Sequence, residues 1–127
     1  MSTLTKVLEK NVAEIEKNAD MKEGRFRLGH HLMPPVGWLN DPNGLCWYKG
    51  KYHVFFQYAP FDVEGGLKFW GHYTSVDLVD WKYEGTALYP DSPYDCHGVY
   101  SGSALVEDEK MHLFFTGNVK IDGDYDY

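Results

Sequence analysis

Cysteine is scarce in this chain. Cys46 and Cys96 are the only two in 127 residues, and no CxxC pair exists to suggest a metal or redox motif. Two free thiols in a reducing compartment is the reading that such usage supports. Basic charge is also short, with 12 Lys and Arg against 19 Asp and Glu, a formal charge of -7 and a pI near 5.2. Nucleic acid and anionic membrane surfaces need clustered Lys and Arg, so neither is expected as a partner. No segment approaches the ~18 apolar residues of a membrane helix, and Met1 to Lys10 lacks the basic-then-apolar pattern of a secretory signal. A cytoplasmic location is expected.

What the chain does hold is enough apolar matter for one domain with a core: 43% hydrophobic and 17% aromatic residues. From Thr3 to about Ala19, Leu4, Leu8, Val12, Ile15 and Ala19 recur every three or four positions among Lys and Glu, which predicts an amphipathic helix capped by Ser2 or Thr3. Asp20 to Gly29, charged and with two glycines, reads as a linker. Residues 1–29 are therefore set apart as helix and linker, and 30–127 as the main domain.

In that domain the period becomes strand-like. Strands are expected over Gly44 to Tyr48, Tyr52 to Tyr58, Phe69 to Ser75, Trp81 to Leu88, Val99 to Val106 and Met111 to Gly117. In the second, His53, Phe55 and Gln57 share one face, and Tyr52, Val54, Phe56 and Tyr58 the other. Lys51 to Tyr58 (KYHVFFQY) is echoed by Lys110 to Gly117 (KMHLFFTG) 59 residues on, with Gly44 and Gly102 opening the strands before them. A unit of that length with about four strands resembles a β-propeller blade. Closure needs at least four blades, roughly 240 residues at this spacing. The expectation is an all-β chain with about one and a half blades, the N-terminal part of a larger enzyme.

Asp41-Pro42-Asn43-Gly44 has turn chemistry at every position, and taken alone reads only as a turn. Around it stand Asn40, Gln57, Trp70, Tyr100 and Ser101, each with a plain structural alternative: a polar strand face for Gln57, core for Trp70, a turn for Ser101. A carboxylate, amides, a hydroxyl and aromatic faces are what a sugar site needs. His53, His72 and His112 fall on separate strands without a carboxylate set, and no metal or other cofactor is expected.

Four ordered motifs resemble glycoside hydrolase family 32: Trp38 to Gly44 (WLNDPNG), Phe56-Gln57-Tyr58, Trp70 to Ser75 with Asp77-Leu78 and Trp81, and Tyr100 to Ala104 (YSGSA). The resemblance spans roughly His30 to Gly117. It implies a five-bladed propeller and a retaining β-fructofuranosidase, with Asp41 as the nucleophile toward the fructosyl carbon. It further implies that Trp38, Leu39, Asn40, Gln57, Trp70, Ser75, Tyr100 and Ser101 bind the sugar.

Two family motifs do not occur here, the Arg-Asp-Pro that binds fructose hydroxyls and the Glu-Cys that carries the general acid. Such an acid contributes ~10²- to 10⁴-fold in rate, so the fragment alone is expected to be inactive. Pro90 to Gly98 (PDSPYDCHG) resembles the sucrose-6-phosphate hydrolases of the family, and Lys68 is a candidate for the phosphate contact. Sucrose 6-phosphate or sucrose is the expected substrate. A fructosyltransferase and a non-catalytic sugar-binding module are the rival readings, and unpaired strand edges are expected to favour self-association.

Overall fold

The computed structural model describes residues 2–19, 27–28 and 31–121. Most of the expected linker, and the chain's last six residues, lie outside these. One helix, α1 (Thr3–Lys17), precedes six strands: β1 (Trp38–Tyr48), β2 (Lys51–Ala59), β3 (Phe69–Ser75), β4 (Trp81–Leu88), β5 (Val99–Glu107) and β6 (Lys110–Gly117). The first four form an antiparallel sheet in chain order, and β5 pairs with β6 in a separate hairpin. Among the described residues no helix is long and apolar enough to cross a membrane.

Ser2 caps α1, its hydroxyl accepting from the Thr5 N–H at 3.0 Å. The buried seam of the helix is not the expected Leu-centred stripe. Thr5 and Val12 are buried, with Leu8 packed beside them, whereas Leu4 is 47% exposed. Polar side chains with distant partners rotate the seam: the Thr5 hydroxyl donates to the Asp91 carboxylate, and Glu16 accepts from Tyr58 at 2.9 Å and Tyr83 at 2.7 Å.

β2 lies inside the sheet and is buried on both faces, as its continuous aromatic run requires. Phe56 and Tyr58 pack with Val12, Phe69 and Tyr73 on the helix side, and Phe55 packs with Trp70 and Val99 on the side of the β5–β6 hairpin. Burying such side chains contributes about 1.5–3 kcal/mol each. Gly71 on β3 is what lets the first cluster close, because a Cβ there would stand 2.2 Å from Phe56 Cζ.

The echo between the two halves is structural. Lys49-Gly50 and Asp108-Glu109 both have positive φ, the two-residue hairpin loop whose twist suits the flanking strands. The strands before them are both bulged: β1 shifts register between Asn40 and Pro42, and β5 between Tyr100 and Gly102. Gly102 thus corresponds to Pro42 in the pairing, since these face Phe115 and Phe56. It does not correspond to Gly44, which falls in a second bulge that β1 has and β5 lacks. Phe114, Phe115, Leu105 and Val106 of the hairpin are exposed.

Candidate active site

Asp41-Pro42-Asn43-Gly44 is not the turn between elements that its composition suggests. The segment runs inside β1, an edge strand of its sheet, where the missing N–H of Pro42 is tolerated at a bulge. Asn40 pairs with Gln57 and Pro42 with Phe56, so Asp41 is the extra residue of the first bulge. Bulges of this kind re-aim a side chain out of the ladder. Asp41 is exposed.

Its carboxylate is met from the other sheet. The Ser101 hydroxyl donates to Asp41 Oδ2 at 2.9 Å and accepts from the Gln57 amide Nε2 at 3.0 Å. Gln57 is buried, 4% exposed, so its amide is a fixed donor. Beneath this chain lies Asn43, also buried: its Nδ2 donates to the Asp41 carbonyl at 3.0 Å and its Oδ1 accepts from the Gly102 N–H at 3.1 Å. Asn43 holds the two bulges at a set separation. Sequence reasoning passed over it because Asn-Gly reads as turn chemistry. Its place beside Asp41 inside the motif was the available signal.

The other expected site residues divide by location. Asn40 lies next to Asp41 and is exposed. Tyr100 precedes Ser101 and is half-buried, while Trp38, also half-buried, has the Gly65 backbone against its ring. Trp70 is fully buried, its ring tilted at 38° to that of Phe55, and donates its indole N–H to the Tyr100 carbonyl at 3.0 Å. It supports the site from below, where a large apolar ring is most stable. Leu39 points into the helix-side cluster with Tyr58.

Ser75 stands apart, five positions along β3 from Trp70. Its hydroxyl donates to Asp77 Oδ1 at 2.9 Å and accepts from the Leu78 N–H at 2.8 Å, closing the turn before β4. The N–H groups of Asp80 and Val79, with that hydroxyl, hold the Asp77 carboxyl below the usual range. A hydroxyl spent on its own turn is placed for local structure.

The histidines form no common site with Asp41. His53 and His72 stack and share a hydrogen bond of 2.9 Å, and His112 lies on β6. Burial, then the neighbouring His53, lowers the His72 pKa to about 4. Glu84, on β4, bonds Thr74 and Lys82, Glu107 ends β5, and Glu109 lies in the second hairpin loop.

Comparison with known proteins gives these positions a setting. The family model described as the glycosyl hydrolases family 32 N-terminal domain matches residues 31–126. The chain is 52% identical over 108 residues to a sucrose-6-phosphate hydrolase of Bacillus subtilis (strain 168), covering 84% of this chain and 22% of that protein. The solved structure of a sucrose-6-phosphate hydrolase from Lactobacillus gasseri superposes with a TM-score of 0.78 at 40% identity, over 89% of this chain and 23% of that one. A mutant family 32 β-fructofuranosidase from Bombyx mori in complex with sucrose gives a TM-score of 0.78 at 39% identity, over 94% and 24%. The chain thus spans under a quarter of the length of these relatives.

Proposed function

The chain belongs to glycosyl hydrolase family 32, and from that premise we propose that it carries the nucleophile of a retaining β-fructofuranosidase acting on sucrose 6-phosphate. The single observation that supports this most is the Asp41 carboxylate, exposed at a strand bulge yet oriented by the Ser101 hydroxyl and, through it, by the buried Gln57 amide. An oriented carboxylate is what attack on an anomeric carbon needs, because the reacting atoms must be held in line.

In the proposed reaction an Asp41 oxygen bonds to the anomeric carbon of the fructosyl unit as the bond to the glucosyl oxygen breaks. That oxygen takes a proton from an acid supplied by a part of the protein outside this chain. Water then displaces Asp41 with a second inversion and fructose leaves with net retention. Asn40, next to Asp41 on β1, would bond a fructosyl hydroxyl, and Trp38 and Tyr100, on the strands that carry Asp41 and Ser101, would bound the sugar.

The four-stranded sheet β1 to β4 would be the first blade of a five-bladed propeller and β5–β6 the start of the second. On this reading residues 30–127 form only the opening of the catalytic domain, and residues 1–29 are its helical lead. The exposed Phe114 and Phe115 face would be covered by the blades that follow; the isolated chain would self-associate through it.

The test is to incubate the whole protein with sucrose 6-phosphate and follow the products by NMR. Early release of fructose as the β-furanose, with glucose 6-phosphate, supports the reading. Release of the α-anomer first, or fructosyl oligosaccharides in place of free fructose, overturns it in favour of inversion or transfer.

A further inference from the structure

Resting on the substrate class just proposed, the geometry points to a phosphate-recognition site for the leaving sugar in the pocket between Lys68, His97, Tyr100 and Lys120, where Tyr100 precedes the Ser101 that bonds Asp41. We propose that this pocket takes the phosphomonoester dianion carried by the glucosyl half of the substrate. The space is about 300 Å³, with Gly65 and Gly66 completing its wall.

Lys68 does not hang free in solvent. Its ammonium donates to the carbonyls of Gly65 at 2.7 Å and Gly66 at 3.2 Å, and lies 5.2 Å from the centre of the Trp38 ring and 5.3 Å from that of Tyr100. Its backbone is fixed as well, since the Val99 N–H donates to the Lys68 carbonyl at 2.9 Å. An ammonium held in place by two carbonyls loses less freedom on meeting a ligand than a mobile surface lysine. A third N–H remains for a phosphate oxygen.

His97 is oriented by the same frame. The Lys120 N–H donates to its Nδ1 at 2.8 Å, with Cys96 Sγ 3.5 Å from the same nitrogen. The proton of the neutral ring therefore sits on Nε2, a donor for an anion. The His97 N–H donates to the Asn118 carbonyl at 3.0 Å, and the Asn118 N–H to the Gly98 carbonyl at 2.9 Å. These bonds tie the 92–98 loop to the end of β6.

Burial and then the nearby Lys120 ammonium lower the Lys68 pKa, while Asp62 acts in the opposite sense. An ammonium disfavoured by burial and by a like charge nearby is one that a dianion would stabilise.

The location suits a leaving group. Tyr100 adjoins Ser101, which binds Asp41, and Trp38 lies three residues before Asp41 on β1, roughly 10 Å along the strand. A hexose between the Asp41 carboxylate and Lys68 would place its scissile oxygen at one end and its 6-phosphate at the other. Binding energy from such a remote group can be used at the reacting centre.

The test compares the whole protein with its Lys68→Gln and Lys68→Arg variants. Turnover is measured on sucrose 6-phosphate and on sucrose, and binding by calorimetry with glucose 6-phosphate, glucose and inorganic phosphate. Lys68→Gln is expected to lower kcat/KM for sucrose 6-phosphate about 10- to 100-fold and to leave sucrose within about threefold. Lys68→Arg should recover part of the loss. Glucose 6-phosphate should bind the native protein more tightly than glucose or inorganic phosphate, and Lys68→Gln should erase that advantage. An unchanged preference for the phosphorylated sugar in Lys68→Gln overturns the site and leaves the hydrolase reading intact. Failure to cleave either sugar, with Lys68-dependent binding of glucose 6-phosphate retained, overturns the hydrolase reading and supports the site.

Discussion

Asp41 and Ser101 occupy the same place in two successive strand pairs, and their side chains meet. Each is the extra residue of the bulge in the first strand of its pair, opposite Gln57 and Phe56 in one case and Thr116 and Phe115 in the other. The Ser101 hydroxyl donates to Asp41 Oδ2 at 2.9 Å. A repeated backbone irregularity has thus been given a carboxylate in one copy and a hydroxyl in the next.

Replacing Ser101 by Ala removes the link and leaves the buried Gln57 amide without its acceptor. Loss of a hydrogen bond to a charged group is worth about 1.5–3 kcal/mol. On the proposed reaction, we expect kcat/KM of the whole protein to fall about 10- to 100-fold, mostly in kcat, with Ser101→Thr retaining more activity than Ser101→Ala. Steady-state kinetics on the two variants checks this; equal activity in both would show that the hydroxyl does not orient Asp41.

Glu16 is the polar anchor of the helix. Burial raises the pKa of Tyr58 and Tyr83 well above the ordinary phenol value, and the Glu16 carboxylate adds to it. Both phenols therefore stay protonated donors. Glu16→Ala strands two hydroxyls, one of them on the fully buried Tyr58, and should cost about 2–4 kcal/mol. Glu16→Gln keeps an acceptor and should cost less. Thermal melts of both variants decide it, and equal losses would point to packing alone.

How much of this could be read from the residues depends on what set each feature. The strands were legible because alternating aromatics between two-residue loops leave little choice of period, and β2 to β4 begin and end close to where Tyr52, Phe69 and Trp81 place them. The start of β1 was not, because Asp41 to Gly44 has turn chemistry and only pairing with β2 makes a bulged edge of it. The helix seam was misplaced for a related reason: Thr5 and Glu16 are polar, and their inward placement depends on Asp91, Tyr58 and Tyr83, partners 42 to 86 residues away. Ordered motifs single out Asp41, Gln57 and Ser101, and the structure brings the three side chains together. Their mutual hydrogen bonds, and the bridging by Asn43, follow from register and could only be seen in three dimensions.

The His53–His72 pair predicts a pH dependence. Burial, the neighbouring His53 and, more weakly, Lys51 disfavour the charged His72 ring, against the attraction of Glu84, and its folded pKa is about 4. The unfolded value lies near 6.5. Between these values the unfolded chain binds more protons, so stability is full above about pH 6.5 and is lost as the pH falls toward 4, by about 1–3 kcal/mol. His72→Gln keeps a donor for His53 and should flatten the slope in this window. Denaturation midpoints taken from pH 4 to 7 test it, and an unaltered slope in the variant would assign the dependence to other groups.

In the proposed reaction Asp41 forms the covalent bond to the fructosyl unit. The direct measurement is mass spectrometry of the whole protein, acid-quenched after mixing with sucrose 6-phosphate, read beside the activity of Asp41→Asn. A peptide containing Asp41 should gain one fructosyl unit, and the variant should lose turnover on the order of 10³-fold or more with its melting temperature little changed. A fructosyl unit found on another residue, or turnover in Asp41→Asn close to that of the native enzyme, would contradict it.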